Sequence, residues 1–149
     1  MLLLTAFLDT SVILSGLHSP SGRSAMLFRA ATKKKVKLIT TPLVLAEAAE
    51  YIAKLSIQPL QLEELFTASI LTIIPNPPEI TAEKFKTLTT DPDDVHVLAG
   101  AALSGATVLL SLDKKHIITP RVKLALRPMK VLSPKEFWRW IMRGNIKLF

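Results

Sequence analysis

Apolar runs at residues 2–8, 36–40, 71–74 and 107–112 punctuate the chain, and the stretch VKLALRPMKVL holds a fifth that ends near Leu132. The runs are short and apolar on both faces, which suits strands covered from both sides rather than strands with one wet face. Between them the apolar spacing shifts to three and four residues, the period of a helix with one buried stripe. Strand and helix in alternation predict an α/β fold: one three-layer α/β/α domain over residues 1–149, with a central, mainly parallel sheet of four to five strands. In sheets of that class ligands bind at the carboxyl ends of the strands.

Three helix starts are written in the same way. Thr41-Pro42 precedes LVLAEAAEYIAKL, Asp91-Pro92 precedes DDVHVLAGAALSGA, and Ser133-Pro134 precedes KEFWRWIM. Each sets a capping side chain before a proline at the first helical position, where the missing N–H costs nothing. In PLQLEELFTASI the spacing of Leu62, Leu65, Phe66 and Ile70 predicts a further helix, and PNPPE is a rigid connection.

Four acids stand at the boundaries this pattern defines: Asp9 after LLLTAFL, Glu47 in TTPLVLAE, Asp94 in DPDD and Asp113 after TVLLSL. Carboxylates are expensive at apolar boundaries unless they are paired, hydrogen-bonded or holding a metal. In the helix after Pro42, Glu47 lies within the apolar stripe of Val44, Ala48, Tyr51 and Leu55, whereas Glu50 lies nearer its edge. Asp94 heads a row of Val97, Leu98, Ala101 and Gly105, on the inward side of the first turn. Right-handed crossovers make the strands before Asp9 and Asp113 neighbours, so the four carboxylates converge at one sheet edge. Capping is the competing explanation, because Asp91, Asp9 and Asp113 each suit a helix or Asx-turn start. Capping does not explain Glu47. With no cysteine in the chain, ligands are limited to oxygen and imidazole, and carboxylates with water favour Mg²⁺ or Mn²⁺ over zinc.

Composition adjusts this picture in two ways. With 149 residues, 49% hydrophobic and 21% charged, the chain has material for one ordinary core and no polar tail. No apolar run reaches the ~20 residues that span a bilayer. The opening MLLLTAFL reads as a buried strand of a cytoplasmic protein. Nineteen Lys and Arg against twelve Asp and Glu give a net charge of +7, gathered at Lys33, Lys34, Lys35 and Lys37 and around Arg121 to Arg127. Each basic cluster suits ordinary solvated surface as well as a polyanionic partner, and a negative pocket in a positive surface would draw a polyanion towards a cation.

FLDTSVILSGL, TPLVLAEAAEYI, DPDDVHVLAGAALSGATVLLSLDKKHI and the closing VLSPKEFW resemble the successive blocks of PIN-domain proteins, in particular VapC-like toxins of toxin-antitoxin pairs. The resemblance covers nearly the whole chain. It implies a PIN-like fold, an Mg²⁺- or Mn²⁺-dependent ribonuclease, and Asp9, Glu47, Asp94 and Asp113 as its catalytic, metal-binding acids, with Asp91 and Asp93 secondary. Ser11 stands where members of the family have Asn or Ser. Ser111 stands where Thr or Ser precedes Gly-Asp, although here Leu112 replaces that glycine. Ser11, Ser111, Lys114 and Lys115 are the residues expected to face the RNA, and the Lys33 to Lys37 cluster is a further expected site for the RNA backbone. A small antitoxin covering the acidic groove and a homodimer through the LQLEELF helix are also implied.

The histidines His18, His96 and His116 form no metal-binding pair in sequence and read as surface or packing residues. Trp138 and Trp140 read as packing of the last helix beside Phe137 and Ile141. A phosphatase of the haloacid dehalogenase kind would carry a second Asp two residues after Asp9, where this chain has Ser11. The other alternative is a PIN-like module that binds RNA or protein without cutting.

Overall fold

The computed structural model describes residues 4–144. Five strands, β1 (Thr5–Leu8), β2 (Lys37–Thr40), β3 (Leu71–Ile73), β4 (Val108–Leu110) and β5 (Lys130–Leu132), form one sheet in the order β3-β2-β1-β4-β5. Every pairing is parallel, so the sheet takes the upper end of the expected strand number. In the central rung Phe7 lies between Ile39 and Leu109. All three are buried, as the two-sided apolarity of the runs requires.

The helices are α1 (Thr10–His18), α2 (Arg23–Thr32), α3 (Pro42–Tyr51), α4 (Pro59–Thr67), α5 (Glu79–Ala82), α6 (Val95–Ser104), α7 (Pro120–Ala125) and α8 (Pro134–Met142). Their starts follow the capping chemistry. Thr41 caps α3 by accepting from Val44 N. Ser133 and Glu136 close a reciprocal box, with Glu136 N donating to Ser133 Oγ at 3.1 Å and Ser133 N to Glu136 Oε1 at 2.9 Å. Asp91 caps a 3₁₀ turn, Pro92–Asp94, that leads directly into α6. Gly105 ends α6 in the left-handed region at φ 67°, a conformation that favours glycine.

In VKLALRPMKVL the fifth strand ends at Leu132 as expected, and the residues before it form α7, which the same Thr-Pro signature at Thr119-Pro120 starts and which buries Val122, with Leu126 buried four residues on. One local expectation needs correction. Along α3 the buried stripe runs from Val44 and Ala48 to Ile52, while Tyr51 is 47% exposed.

One apolar cluster joins both helical layers to the sheet, with Phe7, Leu98, Leu109 and Phe137 fully buried. Against β1, α6 packs so closely that a Cβ on Gly100 would sit 3.2 Å from Phe7 Cζ and 3.3 Å from Thr41 Cγ2. That close approach draws the start of α6 onto the sheet edge where the acids lie. Among the described residues no helix is long and apolar enough to cross a membrane.

Candidate metal centre

Strand order reverses at β1: the chain first builds β2 and β3 on one side, then returns to place β4 and β5 on the other. A crevice opens beyond the carboxyl ends of strands at such a reversal. Asp9 is the residue after β1 and the N-cap of α1, and its N–H continues the ladder to Leu110 O at 3.0 Å. Asp113 follows β4, Glu47 projects from α3 after β2, and Asp94 ends the turn before α6. All four line one cleft of about 530 Å³, together with Asp91 and Asp93.

Asp9 is clamped. Its Oδ1 accepts from Thr10 N at 2.7 Å, and its Oδ2 from Ser111 Oγ at 2.6 Å and Ser11 Oγ at 3.2 Å. Ser111 is fully buried and also accepts from Asp113 N at 3.0 Å, so its hydroxyl joins the two acids and does not face a substrate. Ser11, half-buried, lines the cleft and accepts from Leu112 N at 3.0 Å. The Leu112 side chain is 45% exposed and adds no wall to the cleft, so its replacement of glycine leaves the site open.

The remaining acids have unequal surroundings. Glu47 Oε2 accepts from Thr10 Oγ1 at 3.1 Å, and its Oε1 pairs with His96 Nε2. Asp113 Oδ1 accepts from Lys115 N at 3.0 Å and His116 N at 2.9 Å, and Oδ2 lies 3.1 Å from His116 Nδ1. Asp94 Oδ2 is buried without a hydrogen-bond partner. The His116 ring nitrogen, at 3.9 Å, is beyond hydrogen-bonding range.

Burial and the charges of Asp9, Asp113 and Asp91 push the Asp94 carboxyl up to about 7. Burial also raises Asp9, against the hydrogen bonds from Ser111, Thr10 and Ser11 that favour its charged form. Asp113 is less enclosed; burial works upward on it, but the donors from His116 and Lys115 hold it below the ordinary range. An unpartnered oxygen among like charges calls for a proton or a cation. Asp91, Asp94 and His116 each offer a ligand atom, and these atoms lie within 4.8 Å of one another. Oxygen donors with one imidazole suit a divalent ion such as Mn²⁺.

A sequence model of the PIN domain matches residues 5–115. The chain belongs to the PIN-domain family. PIN domains are typically nucleases and typically use divalent metals. Among solved structures the chain is similar to VapBC2 from Rickettsia felis bound to a DNA fragment from their promoter, at 16% identity and a TM-score of 0.61, covering 87% of this chain and 98% of that one. It is equally similar to PAE2754 from Pyrobaculum aerophilum, at 16% identity and a TM-score of 0.61, covering 91% of this chain and 94% of that one. No curated protein matches the sequence.

Within this PIN domain two histidines need correction: His96 and His116, read from the sequence as surface or packing residues, face the acids, and Tyr51, read as part of the buried stripe of α3, lines the cleft. Spacing offered a signal only for His116, three residues after Asp113 in the turn that follows β4; His96, two residues after Asp94, reaches Glu47 on another helix instead. His18 stays outside, with Nδ1 3.2 Å from Leu55 O. Lys114 and Lys115 are exposed just after Asp113 but do not line the cleft. The Lys33 to Lys37 cluster lies at the amino end of β2, the sheet edge opposite the acids, so it does not border the site as expected.

Proposed function

We propose that the protein is a metal-dependent endoribonuclease that hydrolyses RNA phosphodiester bonds as the toxin of a toxin-antitoxin pair. One observation carries this reading: Asp94 places an unpartnered buried oxygen in a cleft that Asp9, Glu47, Asp91 and Asp113 line with like charge. Asp94 is the central ligand of a bound Mg²⁺ or Mn²⁺, with Asp9, Glu47 and Asp113 as the remaining acids and Asp91 and His116 as further donors. When bound, the ion polarises a phosphodiester and lowers the pKa of a water.

The protein's own residues supply orientation. Ser111 and Thr10 N hold Asp9, and Thr10 and His96 hold Glu47 from two sides. Glu47 is placed to orient the attacking water, and Lys114 and Lys115 meet the RNA backbone outside the acids. The setting is the cytoplasm. A protein antitoxin is the partner of this reading, seated over the acidic cleft; the VapBC2 neighbour supports the existence of such a partner. Homodimerisation through α4 fits the exposure of Leu60 and Phe66 on that helix.

Asp9, Asp91 and Asp113 also accept backbone N–H groups as caps, which favours a second reading as a silent RNA- or protein-binding module. Mn²⁺ titration by calorimetry, with cleavage of a mixed single-stranded RNA pool followed in the same samples, separates the two. Wild type is expected to bind Mn²⁺ and cut, and Asp94→Asn to lose both. A wild type that binds no metal would sink the hydrolytic mechanism and leave the binding module.

A further inference from the structure

The PIN-domain match ends at residue 115, and the charge of the chain changes character there. From Lys114 to the end stand ten Lys or Arg and a single acid, Glu136. Glu136 is spent on the capping box of α8. Helix α8 buries Phe137, Trp138 and Ile141 and turns Lys135, Arg139 and Arg143 to solvent. Trp138 Nε1 donates to Arg23 O at 3.0 Å, which ties the start of α2 to this helix and brings a fourth cation to the row. Arg23, Lys135, Arg139 and Arg143 line one shallow groove of about 330 Å³, and Arg139 and Arg143 also border the next, with Lys130. Among the described residues none of these four cations has a carboxylate within salt-bridge distance.

Unneutralised cations at successive turns of one helix repel each other without adding to the fold. Such a row suits a polyanion. Eight residues at ~1.5 Å each carry it ~12 Å, the reach of a few nucleotides. Its near end lies at the acids' sheet edge: Ser111 N, two residues before Asp113, donates to Leu132 O at 3.1 Å, and Leu132 directly precedes Ser133, the cap of α8.

We propose that the α8 face, with Arg23, is the track along which the RNA backbone lies beyond the scissile phosphate. The track deepens the ribonuclease reading and rests on it. Trp138 and Trp140 are packing residues, the first T-shaped on Phe137 at 5.1 Å and the second beneath Lys130 at 5.6 Å. The track therefore holds phosphates rather than stacked bases, and contributes affinity without base preference.

The test is anisotropy of a labelled single-stranded RNA with full-length protein in EDTA, so that nothing is cut, across a salt series. The Arg139→Ala/Arg143→Ala protein is expected to bind at least about tenfold more weakly at ~0.15 M salt. The slope of log affinity against log salt should flatten by about 0.7 for each phosphate that loses its arginine, about 1.4 for the pair. Both side chains are exposed, so Mn²⁺ affinity and the melting temperature should match wild type. A Lys34→Ala/Lys35→Ala control at the opposite sheet edge should bind RNA unchanged. Equal RNA affinity and slope in the Arg double variant would overturn the track, as would a wild type that shows no salt-dependent RNA binding. Loss confined to an acidic polyglutamate probe would instead give the face to an acidic protein partner. A wild type that binds no Mn²⁺ would count against the acidic cleft alone, because the binding assay needs no metal.

Discussion

Glu47 illustrates how much of this site depends on the neighbours of the acids. A carboxylate on a helix swings among rotamers unless both oxygens are held, and here Thr10 takes one and His96 the other. Partners of this kind orient a ligand and tune it, and losing one typically costs ~10–100-fold in metal affinity. His96→Ala is therefore expected to weaken Mn²⁺ binding by about one to two orders of magnitude, with His96→Gln recovering part of it by restoring a donor. Calorimetry on the three proteins decides, and equal affinities would remove His96 from the site. The acids themselves were readable from their places after apolar runs. His96 and His116 were not, because a histidine near an acid in sequence is usually ordinary surface, and only the meeting of α3 with α6 brings His96 to Glu47.

Among the elements, α8 combines the clearest start with the least expected role. Ser133→Ala removes the hydroxyl that receives Glu136 N and is expected to cost about 1 kcal/mol. The Ser133 N–H first, and its hydroxyl to a smaller extent, hold Glu136 below its ordinary value of 4.5, and only the hydroxyl's share leaves with the substitution. A depressed carboxyl contributes stability above its unfolded pKa and loses it as pH falls through the folded value. The penalty of the substitution should therefore be full near neutrality and shrink in acid. Urea unfolding at pH 7 and pH 3 checks both parts, and an equal penalty at the two would detach Glu136 from the cap. The Thr-Pro starts of α3 and α7 have the same chemistry, yet at Thr119 the following Val-Lys-Leu-Ala-Leu reads as well for a strand as for a helix. Short apolar runs leave that choice to packing.

For the whole molecule, gathering acids at one sheet edge exchanges stability for a binding site. The folded chain keeps the Asp94 proton to about 7, while an unfolded chain releases it near 3.8. Between those values the unfolded state binds fewer protons, so stability falls as pH rises through the window. Raised Asp9 adds in the same direction, whereas the lowered Asp113 acts in the acid range below it. Metal-free protein is expected to melt at a lower temperature at pH 8 than at pH 5, and Asp94→Asn to flatten that difference. Mn²⁺ should reverse the loss at pH 8, since a ligand that binds only the folded state adds to its stability. Calorimetric melts with and without the ion test this, and a stability that climbs from pH 5 to pH 8 without metal would refute it.

At the same scale the division between chain and fold follows from the range of the forces. Two-sided apolar runs, helix starts and boundary acids are local, and the parallel layered sheet follows from them because strands apolar on both faces must be covered on both. Which acid stays without a partner, which histidine reaches which carboxylate and which lysines border the site are distance relations between segments remote in sequence. Asp94 meets Asp9 and Asp113 only because β4 returns beside β1. The Lys33 to Lys37 cluster falls outside the site because a strand has two ends, and a residue at the amino end of β2 is carried to the far edge whatever its charge. Charge and residue type are properties of the chain, whereas burial and proximity, which decide what a carboxylate does, arise only when the chain closes on itself.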